Sequence, residues 1–210
     1  MNTIAELQRR WEAAINRWPV WQRILINAVI VGLSASLCLA LMPLRLPGMS
    51  LLGIGPNWAL IWVAAWSICR VPWLGALAGC FMGLAQDSLV TASAIAPAAG
   101  NMEEALATIA PSHAFGLAIA GFLIAQFQRR RFIEDDVVAL VLLIFGTAIL
   151  TETITALLYI FQDETLGSVV WPHHQRLALC SAILSSLWGP AVYFPLKIWW
   201  QAIANVEKSA

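Results

Sequence analysis

Trp73-Leu74-Gly75-Ala76-Leu77-Ala78-Gly79-Cys80-Phe81-Met82-Gly83-Leu84-Ala85-Gln86-Asp87 is the stretch that decides the fold. It is apolar throughout, yet Gly75, Gly79, Gly83 and Asp87 recur at every fourth residue. At roughly 100° per residue each step drifts by about 40°, so all four lie on one side of a helix. Glycines at this spacing let a second helix approach closely in lipid, where van der Waals packing drives association. Asp87 then falls on the packed side. A carboxylate facing lipid costs on the order of 3 kcal/mol even on lenient insertion scales, so it requires a partner or water. The stretch reads as a membrane helix buried against protein.

The rest of the composition agrees. Of 210 residues, 60% are hydrophobic and 11% charged, and the mean hydropathy is +0.75. A soluble core of this length cannot hide so much apolar surface, which places the chain among all-α polytopic membrane proteins. A formal net charge of zero gives no pull toward nucleic acid. Cys38, Cys69, Cys80 and Cys180 all sit in apolar runs without a CxxC pair, as buried small hydrophobes do.

Six spans are expected, at about 21–42, 57–69, 73–89, 113–127, 137–161 and 177–203. Ahead of them, Ile4, Leu7, Trp11, Ile15 and Trp18 recur at helical spacing beside Glu6, Arg9, Arg10 and Arg17. Residues 1–20 therefore read as an interfacial amphipathic helix stopped by Pro19; a tail occupies 204–210. Span one carries its own ladder of small residues, Ala28, Gly32, Ser36 and Ala40. Pro56 is expected in the first turn of span two, whose thirteen residues are short for a crossing. Leu51–Gly55 would then enter the membrane as irregular backbone covered by protein. A polar loop at 162–176 precedes span six, which Pro190 and Pro195 are expected to kink.

Charge orients these spans. With both termini inside, ten of the twelve Lys and Arg residues fall on inner segments, and only Arg45 and Arg176 lie outside. Trp21, Trp73, Trp171, Trp199 and Trp200 fall near span ends, as an aromatic belt requires.

Candidate chemistry is sparse. Asp87 and Glu152 are the intramembrane polar residues, a functional hypothesis by default. Proton relay is one reading, although no Lys or Arg sits mid-membrane to complete it. A structural clamp is another, with Asp87 capping its helix and Thr151, Thr153 and Thr155 serving Glu152. His113 reads as interfacial. Adjacent His173 and His174 point about 100° apart on a helix and do not make a metal pair, so no metal or cofactor is expected. No G-x-S-x-G, H-E-x-x-H, P-loop or dinucleotide fingerprint occurs, and Ser185 and Ser186 lack a base. No catalytic residue is assigned.

Pro56-Asn57-Trp58 opening a short aromatic helix, then Gly79-x-x-x-Gly83-Leu84-x-x-Asp87 beyond a proline turn, resembles the bacterial rod shape-determining MreD family. The likeness is best over residues 56–89 and weaker over 112–131. It maps the family motif onto Pro56, Asn57, Gly83, Leu84 and Asp87, with a Pro-Asn pair beginning one helix and Asp87 ending the next. The chain departs from the family in the two dozen residues that follow Asp87. The resemblance implies a non-enzymatic, multi-pass component of the bacterial inner membrane that acts in cell elongation and peptidoglycan synthesis. Its implied partners are MreC and, through it, MreB, RodA and a penicillin-binding transpeptidase, alongside membrane lipid. The family's six-helix fold is similar to the substrate-binding subunits of energy-coupling-factor vitamin transporters, and such a subunit is the alternative function. Arg129–Arg131 could meet anionic lipid or a cytoplasmic partner, or only set topology.

Overall fold

The computed structural model describes residues 18–44, 49–68, 70–95, 112–129, 137–162 and 167–209. Among them are six helices and no strand: α1 (Val20–Leu41), α2 (Trp58–Ser67), α3 (Pro72–Ile95), α4 (Ser112–Arg129), α5 (Val137–Gln162) and α6 (Gly167–Ser209). Three segments, Val20–Leu41, Val137–Leu158 and Gln175–Ile203, are long and apolar enough to cross a membrane. The outer surface is apolar to match, with Ile24, Leu33, Phe81, Phe122, Leu142 and Leu187 all exposed. The expected interfacial helix, apart from Trp18–Val20, lies outside the described residues, as do the 96–111 segment, Cys69 and the basic pair Arg130–Arg131.

The centre of the fold is α2. Nearly all its residues are buried, Ala59, Leu60, Ile61, Val63 and Ala64 completely. Ten residues make about 15 Å of helix, half of the roughly 30 Å hydrocarbon core. Such a helix survives because its neighbours enclose it: α3, α4 and α6 pack around it, and α1 leans on one flank. Asn57 is its N-cap, the side-chain Oδ1 accepting from Leu60 N at 3.0 Å. Pro56 is thus one residue outside the cap, not in the first turn as expected. An asparagine capping its own third helical N–H outcompetes that placement. It is Pro72, the first residue of α3, that takes the position proline favours.

The segment before α2 also differs from expectation. Leu51 and Ile54 exchange backbone hydrogen bonds of 2.9 and 3.0 Å around a two-residue turn. Leu52 and Gly53 have φ of 54° and 82°, the mirror-image hairpin geometry. Leu52 is exposed rather than covered by protein. The turn is closed by the backbone groups of Leu51 and Ile54, with Leu52 at its outward tip. Leucine in this left-handed region costs about 1 kcal/mol that glycine would not.

Two boundaries move. Helix α6 begins at Gly167, inside the expected polar loop, and continues through Pro190 and Pro195 to Ser209, in the expected tail. Hydropathy marks where a helix enters lipid, whereas hydrogen bonding decides where it begins. The forty-three residues span about 64 Å. Helix α3 likewise runs to Ile95, beyond the expected Leu89. The packing of α1 is slight: Cys38 is its one buried residue. Trp62 Nε1 donates to Ser34 Oγ (2.9 Å) and Trp199 Nε1 to Asn27 Oδ1 (3.4 Å), tying it to α2 and α6.

The glycines separate into two classes. A Cβ on Gly79 would overlap the Leu117 carbonyl and stand 2.8 Å from Ala118 Cα, whereas one on Gly32 or Gly146 would meet nothing within 4 Å. Gly79→Ala should therefore destabilise by about 2 kcal/mol or more, since backbone must shift. Gly32→Ala and Gly146→Ala should be neutral or stabilising, by up to about 1 kcal/mol of helix propensity. Fluorescence-detected size exclusion of the detergent-solubilised variants after a heating series measures the difference.

Candidate functional site

The site is built on an antiparallel hairpin. Gly75 faces Gly121, Gly79 faces Leu117 and Ala118, and Gly83 faces Ala114, so three successive turns of α3 ride on the backbone of α4. A Cβ on Gly75 would reach the Gly121 carbonyl, and one on Gly121 the Gly75 carbonyl, with the opposing carbonyl carbons at 2.9 and 2.8 Å. No side chain separates the helices there. On its other side α4 meets α5 in the same manner: a Cβ on Gly116 would stand 2.9 Å from Thr151 Cγ2. Thr151 Oγ1 donates to Thr147 O at 2.8 Å and lies 3.4 Å from Gly116 O.

The hairpin ends in a polar lock. One turn past Gly83, Asp87 Oδ1 lies 2.5 Å from His113 Nδ1 in the first turn of α4. With the carboxylate ionised, Nδ1 carries the proton and donates. Asp87 is 8% exposed and its partner's side chain 19%, so the pair is largely withdrawn from solvent. A buried carboxylate is tolerated where a charge-assisted hydrogen bond satisfies it. Two expectations are corrected here. Asp87 does not cap or end α3, because the helix continues to Ile95. His113 is not merely interfacial but is the group that holds Asp87.

A second polar contact joins the helices on the same half of the bundle. The backbone N–H of Asn57 donates to Ser185 Oγ of α6 at 2.9 Å, across 128 residues of sequence. Ser185 is completely buried, and it satisfies a donor left open at the start of α2. Ser181 and Ser186 are buried beside it on α6. Ser186 Oγ is turned back onto its own helix, to Ile183 O. Glu152 is also buried, next in sequence to Thr151. The Thr151 hydroxyl, expected to serve Glu152, is directed to backbone carbonyls; Thr153 Oγ1 donates to Ile149 O at 2.7 Å.

Of the motif residues, Pro56, Asn57, Gly83 and Asp87 are buried at helix junctions, while Leu84 is 44% exposed on the outer face of α3. The other ladder is arranged differently. Ala28, Gly32, Ser36 and Ala40 are all exposed, on the face of α1 turned from the bundle. The residues that sequence reading missed are on α4, where Ala114, Ala118, Gly121 and Ala125 repeat at steps of four, three and four. That spacing is the complement of the α3 ladder and was legible. Trp200, expected in the lipid-facing belt, is 8% exposed and packs inside. The side chains of His173 and His174 lie outside the described residues. Among the described residues no group of three His, Cys, Asp or Glu is placed to hold a metal.

No family model, curated protein or solved structure matches the chain.

The lock makes a graded prediction. Asp87→Asn keeps an acceptor for His113 and should cost about 1 kcal/mol, whereas Asp87→Leu strands a buried donor and should cost about 2–3 kcal/mol. If the lock is local, His113→Gln should resemble Asp87→Asn. Thermal unfolding of the purified variants in one detergent checks the order.

Proposed function

We propose that the chain is a six-span, non-enzymatic inner-membrane protein of the bacterial cell-elongation machinery, of the rod shape-determining MreD type. Both termini lie on the cytoplasmic side in this reading, in keeping with the distribution of Lys and Arg. The observation that carries it is the use made of the motif residues. Asn57 caps the buried α2 and reaches Ser185, while Gly83 and Asp87 close the α3–α4 hairpin. The intramembrane acid and the caps thus serve architecture, and the residues left over face outward. A protein so arranged acts by presenting surfaces.

The surface best suited to a partner helix is α1. Its exposed face carries Ala28, Gly32, Ser36 and Ala40, flanked by exposed Val29, Leu33 and Leu37. Small residues at four-residue spacing accept a transmembrane helix at close range, and MreC is the partner this reading assigns. Exposed Leu84 and Phe81 on α3 offer a second, bulkier face. RodA, MreB and a transpeptidase follow through MreC.

One observation favours the transporter-subunit alternative. Gln86, Asp87, Thr155 and Ser181 are buried polar residues on the same half of the bundle as Asn57, as a polar ligand site would need. The same α1 face would then meet a coupling protein.

In-cell crosslinking from a photoreactive residue at Ser36, followed by mild-detergent purification, separates the two. Recovery of MreC supports the elongation reading; recovery of a coupling membrane protein with paired ATPases replaces it. Gly32→Leu has open space around it and should leave the monomer intact while reducing the crosslink at least about tenfold. Cells carrying it should be rounded if shape determination is the role, and of normal width with lost vitamin uptake if it is not.

A further inference from the structure

At the end of the bundle opposite the Asp87–His113 lock, the side chains converge on one arginine. Arg70 lies in the turn between α2 and α3. Its guanidinium carbon stands 5.3 Å from the centre of the Trp66 ring and 6.0 Å from that of Trp200. Trp66 is itself stacked on Trp62 at 6.1 Å. Trp200 is 8% exposed and packs with Ile68, Leu140, Ile144 and Leu196. The arginine is therefore positioned by rings that cannot easily move.

Among the described residues, three N–H donors in this cluster have no acceptor: Arg70 Nε, Trp66 Nε1 and Trp200 Nε1, each atom buried. Donors so buried are nearly always paired, with protein or with something bound. That three orphans belong to residues in mutual contact makes a shared acceptor the simplest account. It is anionic, because the surrounding charge is positive. Arg23 and Lys197 lie at the same end: Arg23 Nε donates to Trp18 O, Trp18 packs against Ala202 two residues beyond Trp200, and Lys197 sits 5.7 Å from the Tyr193 ring. Among residues whose side chains are described, the carboxylates are Asp87 and Glu152, both in the opposite half.

Ring contacts occupy the faces of a guanidinium and leave its edge, which matches two oxygens of a phosphate. Indole N–H groups are donors only, suited to the same oxygens. We infer that Arg70, Trp66 and Trp200 form a phosphate-binding site at this end of the bundle, and that its ligand is the phosphodiester of an anionic lipid headgroup. The aromatic and cationic residues around it are those that accumulate at a membrane–water boundary. The inference is independent of the partner proposed for α1.

Native mass spectrometry of the full chain, released from detergent with phosphatidylglycerol, phosphatidylcholine or inorganic phosphate added, tests it. Phosphatidylglycerol should be retained well above phosphatidylcholine, and Arg70→Gln should reduce that retention about tenfold. Trp66→Phe and Trp200→Phe keep an aromatic ring and lose the donor along with part of the indole, and they leave Arg70 in place, so they guard against a misfolded Arg70 variant; each should weaken retention about three- to fivefold. Arg70→Lys, which keeps charge but loses the fork, should fall between. Binding of inorganic phosphate that depends on the same residues would support the phosphate site but assign it a soluble anion. Equal retention of the two lipids without phosphate binding, or phosphatidylglycerol binding unchanged in Arg70→Gln and both phenylalanine variants, overturns the inference.

Discussion

Backbone contact between α3 and α4 is the constraint from which the rest of this structure follows. Gly75 on Gly121, Gly79 on Leu117 and Gly83 on Ala114 bring the two main chains to a distance that any Cβ at those glycines would prevent. In lipid there is no hydrophobic gain from hiding apolar side chains, so close dispersion contact has to supply the association. The glycines supply it by removing side chains from the seam. The register is fixed at the same time, because one step along the helix puts bulk opposite bulk. With the register set, Asp87 arrives at His113 and a buried carboxylate finds its donor.

A tight pair leaves room for a helix too short to cross a membrane. Helix α2 needs its polar ends satisfied within protein, since lipid offers no hydrogen bonds. Asn57 does so twice at one end, by capping Leu60 N through its side chain and by donating its own N–H to Ser185 Oγ. Ser67, at the other end of α2, lies close to Gly75 at the start of the glycine seam. The central helix is thus framed by α3–α4 on one side and α6 on another, while α1 meets that core with Cys38, the half-buried Val31, Ala35 and Leu39, and the Trp62–Ser34 hydrogen bond. A helix held so lightly is open to a further partner in a way that α2 is not.

How much of this was legible in the sequence depends on which physical signal a residue carried. Helical class, the apolar segments and the packing side of Gly75, Gly79 and Gly83 follow from hydropathy and a four-residue repeat. Both are local properties, readable without a partner. The partner of that seam was equally present in Ala114, Ala118 and Gly121, but alanine is common in apolar helices and its pattern stands out only once the antiparallel register is known. The Asn57 cap was legible from its position before an apolar run, and its bond to Ser185 was not: 128 residues separate them. Nor could hydropathy find the first residue of α6 at Gly167, since polar residues form helices outside lipid as readily as apolar ones do within it.

The two ends of the bundle assign opposite uses to their polar residues. At one end, Asp87 and His113 hydrogen-bond each other within the protein, and the hydroxyl of Thr151 is spent on backbone carbonyls. Those contacts are internal to the protein, although Gln86 Oε1 and Thr155 Oγ1 are buried there without a partner among the described residues. At the other, Arg70 is held by two indoles that constrain its faces but accept no hydrogen bond from it. Substituting a leucine for Arg70 would serve packing as well and would remove a buried cationic donor. An arginine there adds to the inner-side excess of Lys and Arg, and its buried Nε has room for a partner beyond the described residues. The asymmetry argues that the pairing of α3 with α4 builds the protein, and that α1 and the arginine end connect it to what surrounds it.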